Sequence, residues 1–589
     1  MRGFVCTAIL FFAGLLWGVE LPDLPKTPVS PLEKERVDAA FDADSPESEG
    51  GWASVAADAK KRALEFALKD NVNAAADWYY ASLAADFFAN GGAEMPKELK
   101  RAILDNLPAF FDFYETAPRN SLGNAAPVLS TIFLNQPAQA KKYLRAAMAL
   151  SLVYANPLPG TWPMFEVPDE PTQVSQPQEI FLYLSLRAGK MPFDMSKLTV
   201  GELVFTTGIA GPLSELEGIA DDRFEPSKIE SAALSIKLDT SRVRGSHVAK
   251  WNEERAPFTL ENLAKYGGSQ HERLYYAFRK ANANGVPCVF YTVDIAHTPH
   301  SWIDYMEAPM KWRSDVLRDP KTKNAHAVVL HQLTWKPLSS FDFHRVKVRA
   351  NTEEATHNSI VLSRLAQLLF DAGENKKAED FAKRALSLDA LNPAAYSLMI
   401  SASARAGADA KAIDALFRQS IEAFAAYPEQ CAKMAREYRS NLIMRKRFAQ
   451  ADAVFNAVLK PIFRKNPELA VVLYSDVIVD MVDRAETNAQ KMAVYSAVLR
   501  AAAKAPAEAF TYITVPVVRY FKDRGDIKEA EKVLKAIESH LLKSSSARAV
   551  AEFKELKEEL AEDGKAQKNS ASTRGKAKHK TSGDDTADF

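Results

Sequence analysis

Between residues 266 and 331 the sequence concentrates side chains that can do chemistry. Five of its ten histidines lie there, His271, His297, His300, His326 and His331, among Ser269, Glu272, Cys288, Asp294, Asp304 and Asp315. Two chemistries use such a set. A hydroxyl or thiol beside an imidazole, with a carboxylate to orient the ring, attacks a carbonyl. Alternatively, imidazoles and a carboxylate converging within about 2.1 Å of one point hold zinc, which activates water. His271, His297 and His300 are the metal-ligand candidates. The short helical zinc signature is missing, because Tyr275 stands four residues after His271 where the second histidine would be. His326 and His331 are five apart, so on one extended strand they project to opposite faces. No cofactor is implied.

The elements that position these groups are legible in "YGGSQHERLYYAFRKANANGVPCVFYTVDIAHTPHSW", residues 266–302. It reads as a double-glycine turn, a helix over about 269–283, a "GVP" turn, a strand, and a second strand opened by "HSW". Ser269 has the position of an N-cap, with Glu272 completing a capping box. Its competing role is nucleophile. Cys288 reads as a buried strand residue, with a relocated nucleophile as the other reading. "VPCVFYTVDI", "HSWIDYME", "AHAVVLHQLTW" and "FDFHRVKVRA" alternate with period two. They predict a small antiparallel sheet packed on the helix, an α+β unit over 240–350.

This order of motifs resembles the transglutaminase-like branch of the papain superfamily, in its bacterial exported form. The resemblance covers about 50 residues closely. In that family a glycine-rich turn delivers a cysteine to a helix N-terminus, and a histidine followed by a small residue and tryptophan opens the next strand. The resemblance places the cysteine position at Gln270 and the histidine at His300, before Ser301 and Trp302. It places the acidic member at Asp315 after Trp312, with Asp304 as the alternative. A thiolate acts because a helix N-terminus and an imidazolium lower its pKa. A carboxamide cannot attack, although its NH₂ can donate to a bound carbonyl. The expectation is therefore a non-catalytic domain whose groove, with Gln270, His300, Trp302, Tyr266 and Trp312, recognises an extended peptide or glycan. The alternatives are an amide hydrolase or acyl transferase with His300 as base and Ser269 or Cys288 as nucleophile, assisted by Asp315, and a zinc-dependent hydrolase.

The rest of the chain predicts a mixed, mainly α protein. At 589 residues it is too long for one core. Its 75 basic and 75 acidic residues balance, so the average composition calls for no nucleic acid or anionic surface. Arg2 and the apolar run after it predict a signal peptide over 1–19, hence export to the periplasm or envelope and no span after cleavage; a retained anchor is the alternative. A proline-rich linker follows over 20–51, then a helical domain over 52–239. Within it lies a proline-rich excursion over 156–178, followed by a helix; Trp162 and Phe165 of the excursion and Tyr183 of the helix are groove or packing residues.

Over 351–560 a degenerate repeat sets Gly373 over Gly407 and Ala378 over Ala412, a 34-residue step that resembles tetratricopeptide repeats. Ala451 and Ala530 continue the frame irregularly. Such an array presents a face to a protein or peptide partner, or supports a neighbouring domain. Residues 561–589 have the composition of a disordered tail. Cys288 and Cys431, the cysteines outside the leader, read as free buried thiols.

Overall fold

Alanine sets how closely the first helices approach. Along Trp52–Leu68 and Val72–Ala89, Ala59, Ala63, Ala75, Ala81, Ala84 and Ala85 are all fully buried. With no side chain beyond Cβ they let the pair pack along its length. Phe87, Phe110 and Phe113 fill the space between helices. The computed structural model describes residues 31–43, 50–118, 121–156, 175–207, 212–239, 243–244, 247–248, 259–295, 298–309, 311–320, 333, 338–342, 344–345, 353–543 and 546–578. The expected leader lies outside them, as do Trp162, Phe165, His297, His326 and His331. Among the described residues no helix is long and apolar enough to cross a membrane.

The architecture is mainly helical with a small antiparallel sheet. The chain divides into two compact units, 1–319 with 328–416, and 320–327 with 417–589. The first unit contains the sheet. Strands β1 (Val243–Arg244) and β2 (His247–Val248) form a short ribbon; β3 (Cys288–Ile295), β4 (Thr298–Ala308) and β5 (Lys311–Val316) form the main sheet in that order. The helix Gln270–Ala283 packs against β3 and β4. Helices Glu353–Asp371, Asn375–Leu388 and Pro393–Arg405 also belong to this unit. They dock on the first helices through a hydrogen bond between Tyr80 Oη and His357 Nε2 at 2.9 Å. Glu115, with a side chain 8% exposed, takes Arg364 bidentately at 2.7 and 2.8 Å.

The second unit is helical from Pro428–Met444 through Ala547–Lys578. Its core includes Phe455, Tyr474, Ile478, Tyr495, Phe510 and Phe521. The segment Phe510–Thr514 is a π-helical turn just before Pro516, which has no N–H for the regular ladder. There Thr514 Oγ1 lies 2.9 Å from Tyr495 Oη.

One form of helix ending recurs along the chain. Helices end in the same left-handed turn at Gly373, Gly407 and Gly525, and at Lys446. In each, the next residue's N–H reaches back to a carbonyl five residues before it, as in Glu374 to Leu369 and Arg447 to Leu442. Ala378, Ala451 and Ala530 are fully buried five residues after these turns, but Ala412 is exposed and Ile413 carries the burial there.

Three segments differ from their sequence expectation. Within the proline-rich linker, Lys34–Asp42 is a helix, because Phe41 docks edge-on to Trp52 at 5.2 Å. The expected strand "FDFHRVKVRA" begins as helix at 340–342 and 344–345. Ser339 explains that start, since its Oγ accepts from Asp342 N at 3.0 Å and a local cap overrides period-two alternation. The last helix continues to Lys578, so 561–578 has helical backbone where composition gives a tail. Its lysines and alanines favour helix once the N-terminal turns are anchored by Phe553 and Leu560.

Candidate functional site

The double glycine is fixed by close backbone approach. Gly267 has φ +88°, and a Cβ there would meet Lys237 O at 2.5 Å. The chain 237–239 runs beside it, with Gly268 N donating to Lys237 O at 2.9 Å and Asp239 N to Gly268 O at 2.8 Å. That bridge aims the next residues into the helix. Ser269 caps it, and Glu272 returns to Ser269 N at 2.7 Å, so the capping box forms. The hydroxyl of Ser269 is thereby committed to a backbone donor and 2% exposed.

Parity along the helix and strand decides which side chains meet. Gln270 is exposed, its Oε1 accepting from Arg273 Nη1 at 3.3 Å. His271, one residue on, turns inward; its ring lies edge-on to Phe290 at 5.3 Å. On β4 the alternation continues this division. Ser301 pairs in register with Thr292, and Ile303 with Phe290, on the face that carries the helix; His300, Trp302 and Asp304 take the other face. Consequently the junction of helix N-terminus and strand is filled by a hydrogen bond between His271 Nδ1 and Ser301 Oγ. His271 is 4% and Ser301 3% exposed, so no reacting group can reach them without the helix moving.

On the far face, His300 Nδ1 stands 3.3 Å from Asp319 Oδ2. Asp315 instead pairs with Arg318 at 2.8 Å. Asp304, fully inside, accepts from Tyr291 Oη at 3.0 Å and from Asp315 N at 2.7 Å. The Tyr291 hydroxyl is held far above its ordinary pKa, first by burial and then by the Asp304 charge. Trp302 stacks on Tyr291 at 5.1 Å, with the Arg318 guanidinium 4.1 Å above the indole. Trp312 packs with Leu338 against Phe205 and Val289. Tyr266 lies under the Lys265 ammonium at 4.9 Å.

Among the described residues both thiols, Cys288 and Cys431, are enclosed. Burial raises the Cys288 pKa well above its usual value, with Asp304 adding to the effect, and burial raises that of Cys431 to about 11. Among the described residues no three His, Cys, Asp or Glu side chains are grouped to hold a metal ion. His271 and His300 point to opposite faces of β4, so they do not share a site.

Sequence reasoning singled out Ser269, Gln270 and His300, and missed the His271–Ser301 contact. The signal that locates it is the one-residue offset: each partner follows its motif position by one, which on both a helix turn and a strand changes the side faced. Tyr183, set down as a groove or packing residue, donates to Ala283 O at 2.7 Å and ties its helix to the end of the central one. Compared with known proteins, the chain matches no family model and no curated protein at a significant level of sequence similarity.

Proposed function

We propose that this chain is an exported, non-catalytic recognition scaffold, built from a degenerate transglutaminase-like domain and tetratricopeptide-like helical hairpins. Its partner on this reading is a peptide, protein or envelope component. One observation carries the reading. At the helix–strand junction a carboxamide, Gln270, faces solvent, while the inward position holds a histidine already bonded to a buried serine. An acyl-transfer site needs a nucleophile open to a carbonyl and beside its base. The hydroxyl beside an imidazole here is closed off, and the thiols are held protonated by burial.

The competing reading is serine-type acyl transfer with His271 as base and Ser301 as nucleophile, favoured by their hydrogen bond and opposed by their burial. A fluorophosphonate probe separates the two. Expected is no labelling of the full chain and no turnover of amide or ester substrates. Labelling at Ser301 that disappears in Ser301→Ala, together with turnover lost in His271→Ala, reverses the conclusion.

A further inference from the structure

One turn of the second unit joins exposed apolar groups to a run of positive charge. Helix Pro428–Met444 ends and helix Phe448–Lys465 begins across Arg445, Lys446 and Arg447. Met444 is 75% and Phe448 46% exposed, although both side chains are large and apolar. Lys446 and Arg447 are exposed with them. Two solvent-facing apolar groups thus bracket three consecutive basic ones. Lys446 also holds the left-handed conformation of this turn, at φ 57°, which Gly373, Gly407 and Gly525 supply in the other turns of this form. Lysine occupies the position at a conformational cost that glycine avoids.

The positive charge is not cancelled locally. Residues 441–450 include no acid. Further along the helices, Asp452 lies 3.1 Å from Arg439 and 2.8 Å from Arg484, Asp480 takes Arg484 at 3.1 Å, and Asp483 takes Arg524 at 2.8 Å. These carboxylates are already paired with other arginines. The Arg484 guanidinium stands 5.7 Å from the Phe448 ring, so the turn that follows Asp483 is a neighbour. Glu486 on that turn is exposed and offsets one charge of the three, which leaves an excess of two.

Resting on the recognition reading above for an envelope partner, we infer that this turn docks the chain on the surface of an anionic bilayer. Arg445, Lys446 and Arg447 meet lipid phosphates, and Met444 and Phe448 enter the boundary between headgroups and acyl chains. An exposed turn has no walls to enclose a peptide. A bilayer needs only apolar side chains that enter and cations that stay at the phosphates. A nucleic acid would use the cations and leave the apolar pair in water. Each basic group near an anionic surface is worth about fivefold in partitioning and three are worth about a hundredfold, which makes a reversible attachment and not an anchor.

The test is sedimentation of the full chain with vesicles of phosphatidylglycerol and phosphatidylcholine in equal parts, and with phosphatidylcholine alone, at about 1 mM lipid. The apolar run of residues 1–19 is common to every variant, so parent and variants are compared on the same vesicles. Expected is a preference for the anionic vesicles of about tenfold or more, with binding to them reduced about fivefold in Lys446→Gly and about tenfold in Met444→Ser with Phe448→Ser. Lys446→Gly relieves the left-handed residue and should melt at or above the parent, so its loss of binding is not unfolding. The inference is overturned if the chain shows no preference for anionic vesicles, or if either folded variant binds them as the parent does. It is also overturned if duplex DNA binds as tightly and only Lys446→Gly weakens it, which assigns the turn to nucleic acid. Failure here leaves the non-catalytic reading standing, because that reading falls only if turnover or fluorophosphonate labelling is found.

Discussion

His271 and Ser301 close the junction between helix and sheet, each one residue beyond the positions, Gln270 and His300, that the resemblance assigns to nucleophile and base. The two assigned positions are thereby separated: Gln270 turns to solvent and His300 to the opposite face of β4, beside Asp319.

Removing either side of this arrangement should have unequal effects. Ser301→Ala leaves a buried imidazole nitrogen without its partner and is expected to cost about 1–2 kcal/mol. Gln270→Ala, at an exposed first helical position, should stay within about 0.5 kcal/mol. Urea denaturation of the two variants measures the difference; equal costs would show that the hydrogen bond contributes nothing.

Gly267→Ala should destabilise by about 2–3 kcal/mol, since the left-handed backbone and the carbonyl of Lys237 both oppose a Cβ there. Gly373→Ala places a methyl in open space and should cost only the conformational part, about 1 kcal/mol. Thermal melts of both variants, compared with the parent, check the ordering.

Asp77 provides a pH signature. Burial raises its carboxyl from 3.8 to about 6, so the folded chain holds this proton more tightly than the unfolded one. Its contribution is therefore most favourable below pH 3.8, declines as pH rises through 6, and is constant beyond. Asp77→Asn should gain about 1 kcal/mol at pH 7, a figure reduced for the half-exposed side chain. The gain should vanish near pH 3.5, about the lower end of the ordinary aspartate range. Urea titrations at both pH values provide the readout; an unchanged difference between them contradicts the assignment.

Thiol reagents test the enclosure of the two cysteines. Cys288 and Cys431 should resist a disulfide reagent at pH 8, about the onset of ordinary thiol ionisation, and react fully in denaturant. Rapid native labelling of Cys288 would show that the sheet–helix interface opens, and with it the route to His271 and Ser301.

The cost of parting the first helices from Glu353–Asp371 is set by Glu115. Arg364→Met strips a mostly buried carboxylate of its bidentate partner and should cost about 2–3 kcal/mol. Glu115→Gln with Arg364→Met should recover part of that loss, since the double variant leaves no buried charge unpaired. A double-mutant cycle in urea gives the coupling.

Local signals in the sequence determined much of this protein. Glycine at 267 and 268, serine at 269 and glutamate at 272 fixed the turn and the cap, because such groups act over three or four residues of chain. Apolar spacing of three and four residues fixed most helices, and alternation fixed β3 and β4. Where a neighbour distant in sequence decides, the local pattern was insufficient: Phe41 needs Trp52 to make its helix worthwhile.

The candidate site is the clearest case. Residue types placed chemistry at 266–302, but which of two adjacent side chains faces inward depends on helix rotation against the strand and on strand parity. Those are set by Phe290 against His271, Tyr275 and Phe278. Only the tertiary packing therefore joined His271 to Ser301, and only the docking of Arg364 on Glu115 brought residues 115, 202, 345 and 364 around one cleft. Contacts across 249 residues of chain leave no periodicity to read.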